Sequence, residues 1–234
     1  MSIYPVEQLG VPDPASVADK IAIVELIGLE RLWRDTGEWD KVATAYTEDA
    51  VIKTSWFEGS PAAFAERSKE MADRGRHGKH PIVPVYVLIN GDRALVESRS
   101  EIQNRIPVDG VLVDMVQFVR FISRVRRTAA GWRLVSFEGI YEKGTIAAAH
   151  PGQSVPLIWA DVERVSSRPS YQLHAWGMSL RGYTIPDDLL GDDRPEALRD
   201  FYATQLQWLN EQPITPGGTP SHGTERGHGL AELD

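Results

Sequence analysis

The spacing of apolar residues changes once along this chain, and that change most limits the folds it can adopt. From Ser16 to about Arg34 apolar residues recur at helical spacing, and Ser60 followed by Pro61 is typical of a helix start. From Ile82 onward apolar and polar residues alternate with a period of two. Helices followed by long strands and short turns predict an α+β domain whose helices pack on one face of an antiparallel sheet.

The bounds of the predicted elements follow from these repeats and from turn signals. We expect an N-terminal arm over residues 1–15, a main domain over 16–143, a connector with a helical extension over 144–211, and a disordered tail over 212–234. The apolar face of the first helix is predicted to hold Val17, Ile21, Val24, Ile27 and Leu32. The predicted helices span 16–34, 39–46, 61–73, 171–180 and 195–210, and the predicted strands span 51–57, 82–89, 94–106, 111–127 and 131–142.

Composition and charge exclude several functional classes. No apolar run approaches the roughly 18 residues of a membrane span. The absence of cysteine excludes disulfides, a thiolate nucleophile, cysteine-ligated zinc and iron–sulfur clusters. A net charge of −8 argues against nucleic acid or an anionic membrane as the partner. The N-terminal residues lack a basic segment followed by an apolar one, so we expect no signal peptide and a cytoplasmic protein.

The predicted strands carry small polar residues among apolar ones on the faces that could meet the helices. Ser98 and Ser100 share one strand face, Gln117 and Phe121 share another, and Phe137 and Tyr141 share a third. Together they predict an apolar concavity with a few polar groups, which is what a small-molecule pocket needs. An ordinary core that tolerates some polar residues explains these strands equally well.

Two titratable residues are candidates for acid–base chemistry. Asp35 lies where the first helix ends, and there a carboxylate opposes the helix dipole. It either points into the concavity or lies in a solvated loop. His80 opens the first long strand, and a carboxylate beside it would fix its tautomer and make it an oriented general base. A histidine–carboxylate pair without a nucleophile suits proton abstraction rather than acyl transfer.

Metal and cofactor motifs are not found in the sequence. His77 and His80 form an H-x-x-H pattern, but Gly75 and Gly78 flank it and no third ligand stands at motif spacing. The sequence contains no glycine-rich phosphate loop and no dinucleotide fingerprint. We therefore expect no metal and no cofactor.

Four segments resemble one known family. They are DTGEWD at 35–40, YTEDAV at 46–51, His80 with VYVLINGDRA at 85–94, and the arginine pair 126–127 leading to GWRL at 131–134. In this order, over about residues 17–142, they resemble SnoaL-like domains of the nuclear transport factor 2-like superfamily. The resemblance implies a cone-shaped α+β barrel in which a curved antiparallel sheet is closed by three N-terminal helices. Members include scytalone dehydratase, hexachlorocyclohexane dehydrochlorinase, polyketide cyclases and ketosteroid isomerase.

The resemblance also implies a function. Asp35 and His80 match the acid–base pair of the dehydratase and dehydrochlorinase branch, whereas Phe137 replaces an arginine of the dehydrochlorinase, which argues against halide elimination. We therefore expect a cofactor-independent lyase or isomerase that performs dehydration, cyclisation, a double-bond shift or retro-aldol deformylation on an apolar aromatic or polycyclic hydroxylated molecule. Its activity should change near the usual histidine pKa of about 6.5.

Each candidate site residue has an expected role in that reaction. Asp35 orients His80, and Tyr141 stabilises an oxyanion or protonates a leaving group. The expected substrate-binding residues are Trp56, Thr54, Ser98, Ser100, Gln117, Phe121 and Phe137. The alternatives are a non-catalytic binding or assembly module and the small subunit of a ring-hydroxylating oxygenase. A homo-oligomer, dimer or trimer, is expected, and an active homo-oligomer of this chain alone would argue against the oxygenase subunit.

Overall fold

The computed structural model describes residues 14–75 and 78–211. Most of the predicted arm, the predicted tail from residue 212 and His77 of the H-x-x-H pattern lie outside the described residues. Within the described ranges, no helix combines the length and the apolar character that crossing a membrane requires.

The described chain contains one mixed sheet with helices before it, between its second and third strands, and after it, which confirms the α+β fold class. The sheet has the order β2-β1-β6-β5-β4-β3, and all neighbours are antiparallel except β1 and β6. The sheet is curved but unclosed, with β2 and β3 at its edges. The helices are α1 (Pro14–Thr36), α2 (Trp39–Val42, continued by a 3-10 turn at Ala43–Ala45), α3 (Pro61–Asp73), α4 (Trp159–Val165), α5 (Gln172–Ser179) and α6 (Pro195–Asn210). The strands are β1 (Tyr46–Lys53), β2 (Glu58–Gly59), β3 (Ile82–Asn90), β4 (Arg93–Val108), β5 (Val111–Thr128) and β6 (Gly131–Ala148).

Several predicted bounds are wrong. Helix α1 begins at Pro14, so Ser16 lies inside the helix and is not its N-cap. The second helix was predicted over 39–46 but ends at Val42. The chain is extended from Tyr46, because β1 pairs there with β6. Strand β6 continues to Ala148, through residues whose composition predicts a connector, because it pairs with β5 along that whole length. Pairing with a long neighbouring strand thus outweighs the low strand propensity of alanine and glycine.

The prediction for the buried face of α1 is also wrong, apart from Ile27. Its buried residues are Ile23, Ile27, Glu30, Arg31 and Arg34, whereas Val17, Ile21, Val24 and Leu32 are exposed. The buried face is therefore rotated from the apolar stripe toward two arginines and a glutamate. A helix that turns ionic groups toward the interior needs partners for them there, and this marks the end of α1 as part of a site.

The main core lies between the concave sheet face and helices α1 and α3. Helix α3 starts as predicted, because the Ser60 hydroxyl accepts a hydrogen bond from the Ala63 amide at 3.4 Å and Pro61 follows it. Helix α5 packs on β5 and β6 and covers the open end of this core. Helix α6 lies against β3 and β4, where Leu209 is buried together with Leu88 and Leu95. The segment after β6 therefore contributes to the cavity described next.

Candidate functional site

A narrow cavity lies between α1, α3, the sheet and α5, and its empty volume is about 500 Å³. A second cavity of about 310 Å³ adjoins it along β4 and α5 and shares Ile102, Asn104, His174, Met178 and Arg181 with it. The wall of the first cavity consists of Arg31, Arg34, Thr54, Ser55, Trp56, Phe64, Met71, Gly78, His80, Ile102, Asn104, Phe121, Tyr141, His174, Met178 and Arg181.

His80 is held in the cavity wall by the residues on either side of it. Lys79 exchanges two backbone hydrogen bonds of 2.9 Å with Gln103, and the carbonyl of Pro81 accepts from the Glu101 amide at 3.2 Å. These bonds fix the chain just before β3 against β4. The imidazole is therefore fixed by strand pairing as well as by its own contacts.

Asp35 binds His80 at two points. The Asp35 Oδ1 atom lies 2.8 Å from His80 Nδ1, and Oδ2 accepts a hydrogen bond from the His80 backbone amide. Because an ionised carboxylate can only accept hydrogen bonds, Nδ1 carries the proton and donates it. The Nε2 atom then keeps its lone pair and is the basic atom of the ring. The Asp35 and His80 side chains are 14% and 8% exposed, so water screens this pair little.

Two buried arginines of α1 reach the same wall. Arg31 forms a bidentate pair with Glu30, with both N–O distances at 2.5 Å. Arg34 has a weaker partner, because its Nη1 is 3.5 Å from Asp35 Oδ1 and 3.1 Å from His80 Nδ1. Since the Nδ1 proton points to Asp35, Arg34 acts on the imidazole as a neighbouring positive charge rather than as a donor.

The electrostatics keep the histidine neutral and the aspartate charged. Burial, followed by the charge of Arg34, lowers the pKa of His80 to about 3, although Asp35 acts in the opposite direction. Burial also works against the Asp35 carboxylate, but the hydrogen bonds from His80 outweigh it and lower the pKa of Asp35 to about 2. The expectation that activity changes near pH 6.5 is therefore wrong for this imidazole, because burial lowers its pKa far below that value.

A second group of polar residues lies at the α5 side of the cavity. The Ser55 hydroxyl is 2.8 Å from His174 Nε2, and the His174 ring stacks on Tyr141 with centroids 5.7 Å apart. Burial raises the pKa of Tyr141 to about 12, so its phenol stays protonated and can donate a hydrogen bond. Burial and the charge of Arg181 lower the pKa of His174 to about 4. At neutral pH this group is uncharged.

The structure brings some of the predicted site residues to the cavity and leaves others away from it. His80, Tyr141, Thr54, Trp56 and Phe121 line the first cavity, and Asp35 lies behind His80. Gln117 lines only the second cavity, where its amide donates to the Ser170 carbonyl at 3.0 Å. Their functional roles remain predictions.

Three predicted binding residues do not line either cavity, which corrects the expectation. Ser98 is fully buried opposite Phe121, and that larger neighbour on the same sheet face reaches the cavity instead. The Ser100 hydroxyl donates to the Pro81 carbonyl at 2.8 Å, so it supports the His80 segment. Phe137 stacks on Phe121 at 4.3 Å and lies below the Arg31 guanidinium at 4.5 Å.

Sequence reasoning missed several residues of the wall. Arg31 and Arg34 continue the helical spacing of Ile23 and Ile27, and this continuation was the available signal. His174 stands in an apolar helical segment, which gives only a weak signal. The other wall residues not predicted are Ser55, Phe64, Met71, Gly78, Ile102, Asn104, Met178 and Arg181.

Among the described residues, no group of three or more histidine, aspartate or glutamate side chains is arranged to bind a metal.

The fold and its cavities define a class of protein in which a curved sheet and its helices surround a buried space. Residues 15–138 match the SnoaL-like domain family. This match covers just over half of the chain, and the protein belongs to that family. It confirms the resemblance seen in the sequence. Tyr141, His174, Met178 and Arg181 lie beyond the matched residues.

Solved structures from several bacteria are similar to the same part of the chain. Kfla4162 from Kribbella flavida is 20% identical with a TM-score of 0.46, covering 57% of this chain and 92% of its own. A nuclear transport factor 2-like protein with a cystatin-like fold from Novosphingobium aromaticivorans is 26% identical with a TM-score of 0.42, covering 56% and 90%. A protein from the same organism, provisionally named a scytalone dehydratase, is 14% identical with a TM-score of 0.45, covering 61% and 95%. No curated protein matches the sequence at a significant level.

Proposed function

We propose that this SnoaL-like protein is a cofactor-independent lyase or isomerase in which His80, oriented by Asp35, removes a proton from the substrate. The observation that supports this most directly is the 2.8 Å contact between Asp35 Oδ1 and His80 Nδ1 in the wall of a buried cavity. This contact leaves Nε2 as the basic atom of a neutral imidazole. A base held in a fixed position and tautomer is what proton abstraction requires.

The proposed step moves one proton and leaves one negative charge on the substrate. Nε2 takes a proton from a carbon or a hydroxyl group of the substrate, and the electron pair remains there as an enolate or alkoxide. Asp35 stabilises the imidazolium that forms, and Tyr141 donates a hydrogen bond to the developing oxyanion. The proton then returns to another carbon in an isomerisation or leaves with a departing hydroxyl group in a dehydration.

The cavity wall favours an apolar, aromatic substrate with hydroxyl or carbonyl groups. Trp56, Phe64 and Phe121 present aromatic rings, while Thr54 and Tyr141 provide hydroxyl groups. Aromatic rings in a wall favour flat apolar ligands through stacking and edge contacts.

The test starts with a screen of hydroxylated aromatic compounds for turnover by the full chain, read by mass spectrometry. On any substrate found, His80→Ala should lower kcat/KM by at least about 100-fold, because general-base catalysis contributes about 10²–10⁴-fold. His150→Ala, which changes an exposed histidine, is the matched control and should keep full activity. Near-full activity in His80→Ala would overturn the proposal, and tight binding without turnover would favour a binding module.

The pH dependence gives a second test of the same base. Because burial lowers the pKa of His80 to about 3, the imidazole stays neutral well below pH 6.5. The kcat/KM reports the free enzyme, so it should persist at pH 5, within the range where the chain stays folded. A base-limited loss of kcat/KM centred near pH 6.5 would indicate that a solvated histidine carries the reaction.

A further inference from the structure

The charged groups in the cavity wall are of one sign. Three arginines, Arg31, Arg34 and Arg181, belong to the wall, and no carboxylate does within the part of the chain that the structure describes. Two carboxylates lie behind the wall. Glu30 is engaged by Arg31 through both oxygens, and Asp35 is engaged by His80. The cavity therefore presents positive charge, whereas these carboxylates offset it only from behind the wall.

Arg34 is weakly neutralised. Its side chain is 4% exposed, and its one carboxylate contact among the described residues is the 3.5 Å distance from Nη1 to Asp35 Oδ1. Its Nε is buried and has no hydrogen-bond acceptor among the described residues. Burying a charged donor without an acceptor costs free energy. A group of this kind in a cavity wall is explained when a ligand supplies the missing negative charge.

Two further observations agree with an anionic ligand. Burial, together with the charge of Arg31, lowers the pKa of Arg34 to about 10, which reflects how poorly the surroundings stabilise its charge. At the other side of the cavity, Arg181 donates to the Asn104 side chain at 2.9 Å and adds positive charge from beyond α5. A negative group in the cavity would be attracted by both arginines.

We propose that the natural substrate is an anion, an apolar or aromatic molecule whose carboxylate, phenolate or enolate oxygen binds the Arg34 guanidinium beside His80. This inference rests on the proposed function, because it names the substrate class of the same cavity. Arg34 is then a binding residue that places the anionic oxygen within a few ångströms of the imidazole. A bound anion also offsets the positive charge beside His80 and makes the imidazole more basic once the substrate is present.

The inference is tested with small probes whose charge differs but whose shape is similar. The full chain is titrated with benzoate and with benzamide, and separately with 2,4-dinitrophenolate and its methyl ether, by calorimetry at pH 7 in a buffer without phosphate or carboxylate. Charge-assisted hydrogen bonds are roughly twice as strong as neutral ones, so at least one anion should bind about tenfold more tightly than its neutral counterpart. Preference for benzoate identifies a carboxylate substrate, and preference for the phenolate identifies a phenol or enol. Equal binding within both pairs overturns the inference.

Variants assign the preference to Arg34. In Arg34→Met the preference for the anion should fall to less than about twofold, because the guanidinium is gone. Arg67→Met is the matched control, since Arg67 is an exposed arginine on α3 paired only with Glu70 among the contacts described, and it should keep the wild-type preference. If Arg34→Met does not fold by circular dichroism, Arg34→Lys keeps the charge, loses Nε and should show an intermediate preference. Wild-type preference in a folded Arg34 variant overturns the assignment.

The same probes separate this inference from the proposed function. The titrations need no turnover, and they are repeated on His80→Gln. If His80→Gln keeps full turnover while the wild type prefers the anion, the proposed base is wrong and the anion site stands. If turnover depends on His80 but neither anion is preferred, the proposed base stands and the anion site is wrong.

Discussion

The two buried histidines of the cavity make the stability of the chain depend on pH in a direction that can be measured without a substrate. Burial lowers the pKa of His80 to about 3 and that of His174 to about 4, whereas both have a pKa of about 6.5 when unfolded. Between pH 6.5 and about 4 the unfolded chain therefore binds protons that the folded chain does not. The contribution of these two histidines to the free energy of unfolding should be complete above pH 7 and should fall as the pH falls through this range.

The size of the effect follows from the number of protons. Near pH 5 the unfolded state holds about two more protons than the folded state at these positions, which corresponds to a slope of about 3 kcal/mol per pH unit. Integrated from pH 7 to pH 5, the two histidines remove roughly 4 kcal/mol from the free energy of unfolding. Asp35 does not contribute in this range, because its pKa is about 2 and its stabilisation is lost only below pH 4. Glu138 is partly buried, and because burial raises its pKa, it acts with the opposite sign.

The assay is urea unfolding followed by tryptophan fluorescence at pH 7, 6 and 5, with the wild type and three variants. His80→Gln and His174→Gln should each remove about half of the histidine contribution, and the double variant should remove nearly all of it. His150→Gln changes an exposed histidine and should retain the wild-type slope. If the double variant loses stability with falling pH as steeply as the wild type, the two imidazoles are not buried in neutral form and the electrostatic reasoning fails.

Three further changes have expected outcomes by thermal and urea unfolding or by hydrogen exchange. Gly28→Ala should raise stability by roughly 0.5–1 kcal/mol, because a Cβ at this helical position meets no atom within 4 Å; a loss of stability would contradict this. Gly191→Ala should lower stability by about 1–3 kcal/mol, because its Cβ would lie 2.3 Å from Ser170 Oγ and 2.8 Å from Ser170 Cβ; an unchanged melting temperature would show that the loop shifts freely. Arg168→Met should lower the free energy of unfolding by about 3 kcal/mol and speed amide exchange in α5. The reason is that it removes the buried partner of Asp193, whose oxygens lie 2.6 and 2.7 Å from the guanidinium. Unchanged exchange in α5 would show that this pair does not anchor the helix.

The parts of the fold that depend on local sequence could be predicted. Asn90-Gly91-Asp92 does join β3 to β4, and Asp109 with Gly110 joins β4 to β5 with positive φ angles of 44° and 81°. Turns of this kind need residues that tolerate the left-handed region, so their sequence identifies them. The start of α3 at Ser60 and Pro61 was predictable for the same local reason.

The orientation of α1 could not be predicted from its apolar residues. The apolar stripe that includes Ile21 and Leu32 is exposed, and the buried face includes Arg31 and Arg34. Hydrophobic periodicity assumes that the interior is apolar, whereas here the interior at the end of α1 is a cavity wall with ionic pairs. Asp35 and His80 lie 2.8 Å apart, but only the resemblance to a family had suggested that pairing before the structure.

The α5 side of the cavity could not be predicted because it forms between distant parts of the sequence. Ser55 and His174 are 119 residues apart and lie 2.8 Å from each other. The family match ends at residue 138, so His174, Met178 and Arg181 are additions of this chain to the space that the SnoaL-like domain surrounds. Substrate selection in the proposed reaction therefore depends on two different parts of the chain. The proposed base belongs to the family domain, while His174, Met178 and Arg181 in the wall belong to the extension. A protein with the pairing of Asp35 and His80 but without this extension would lack the positive charge of Arg181, so we expect it to accept a different substrate.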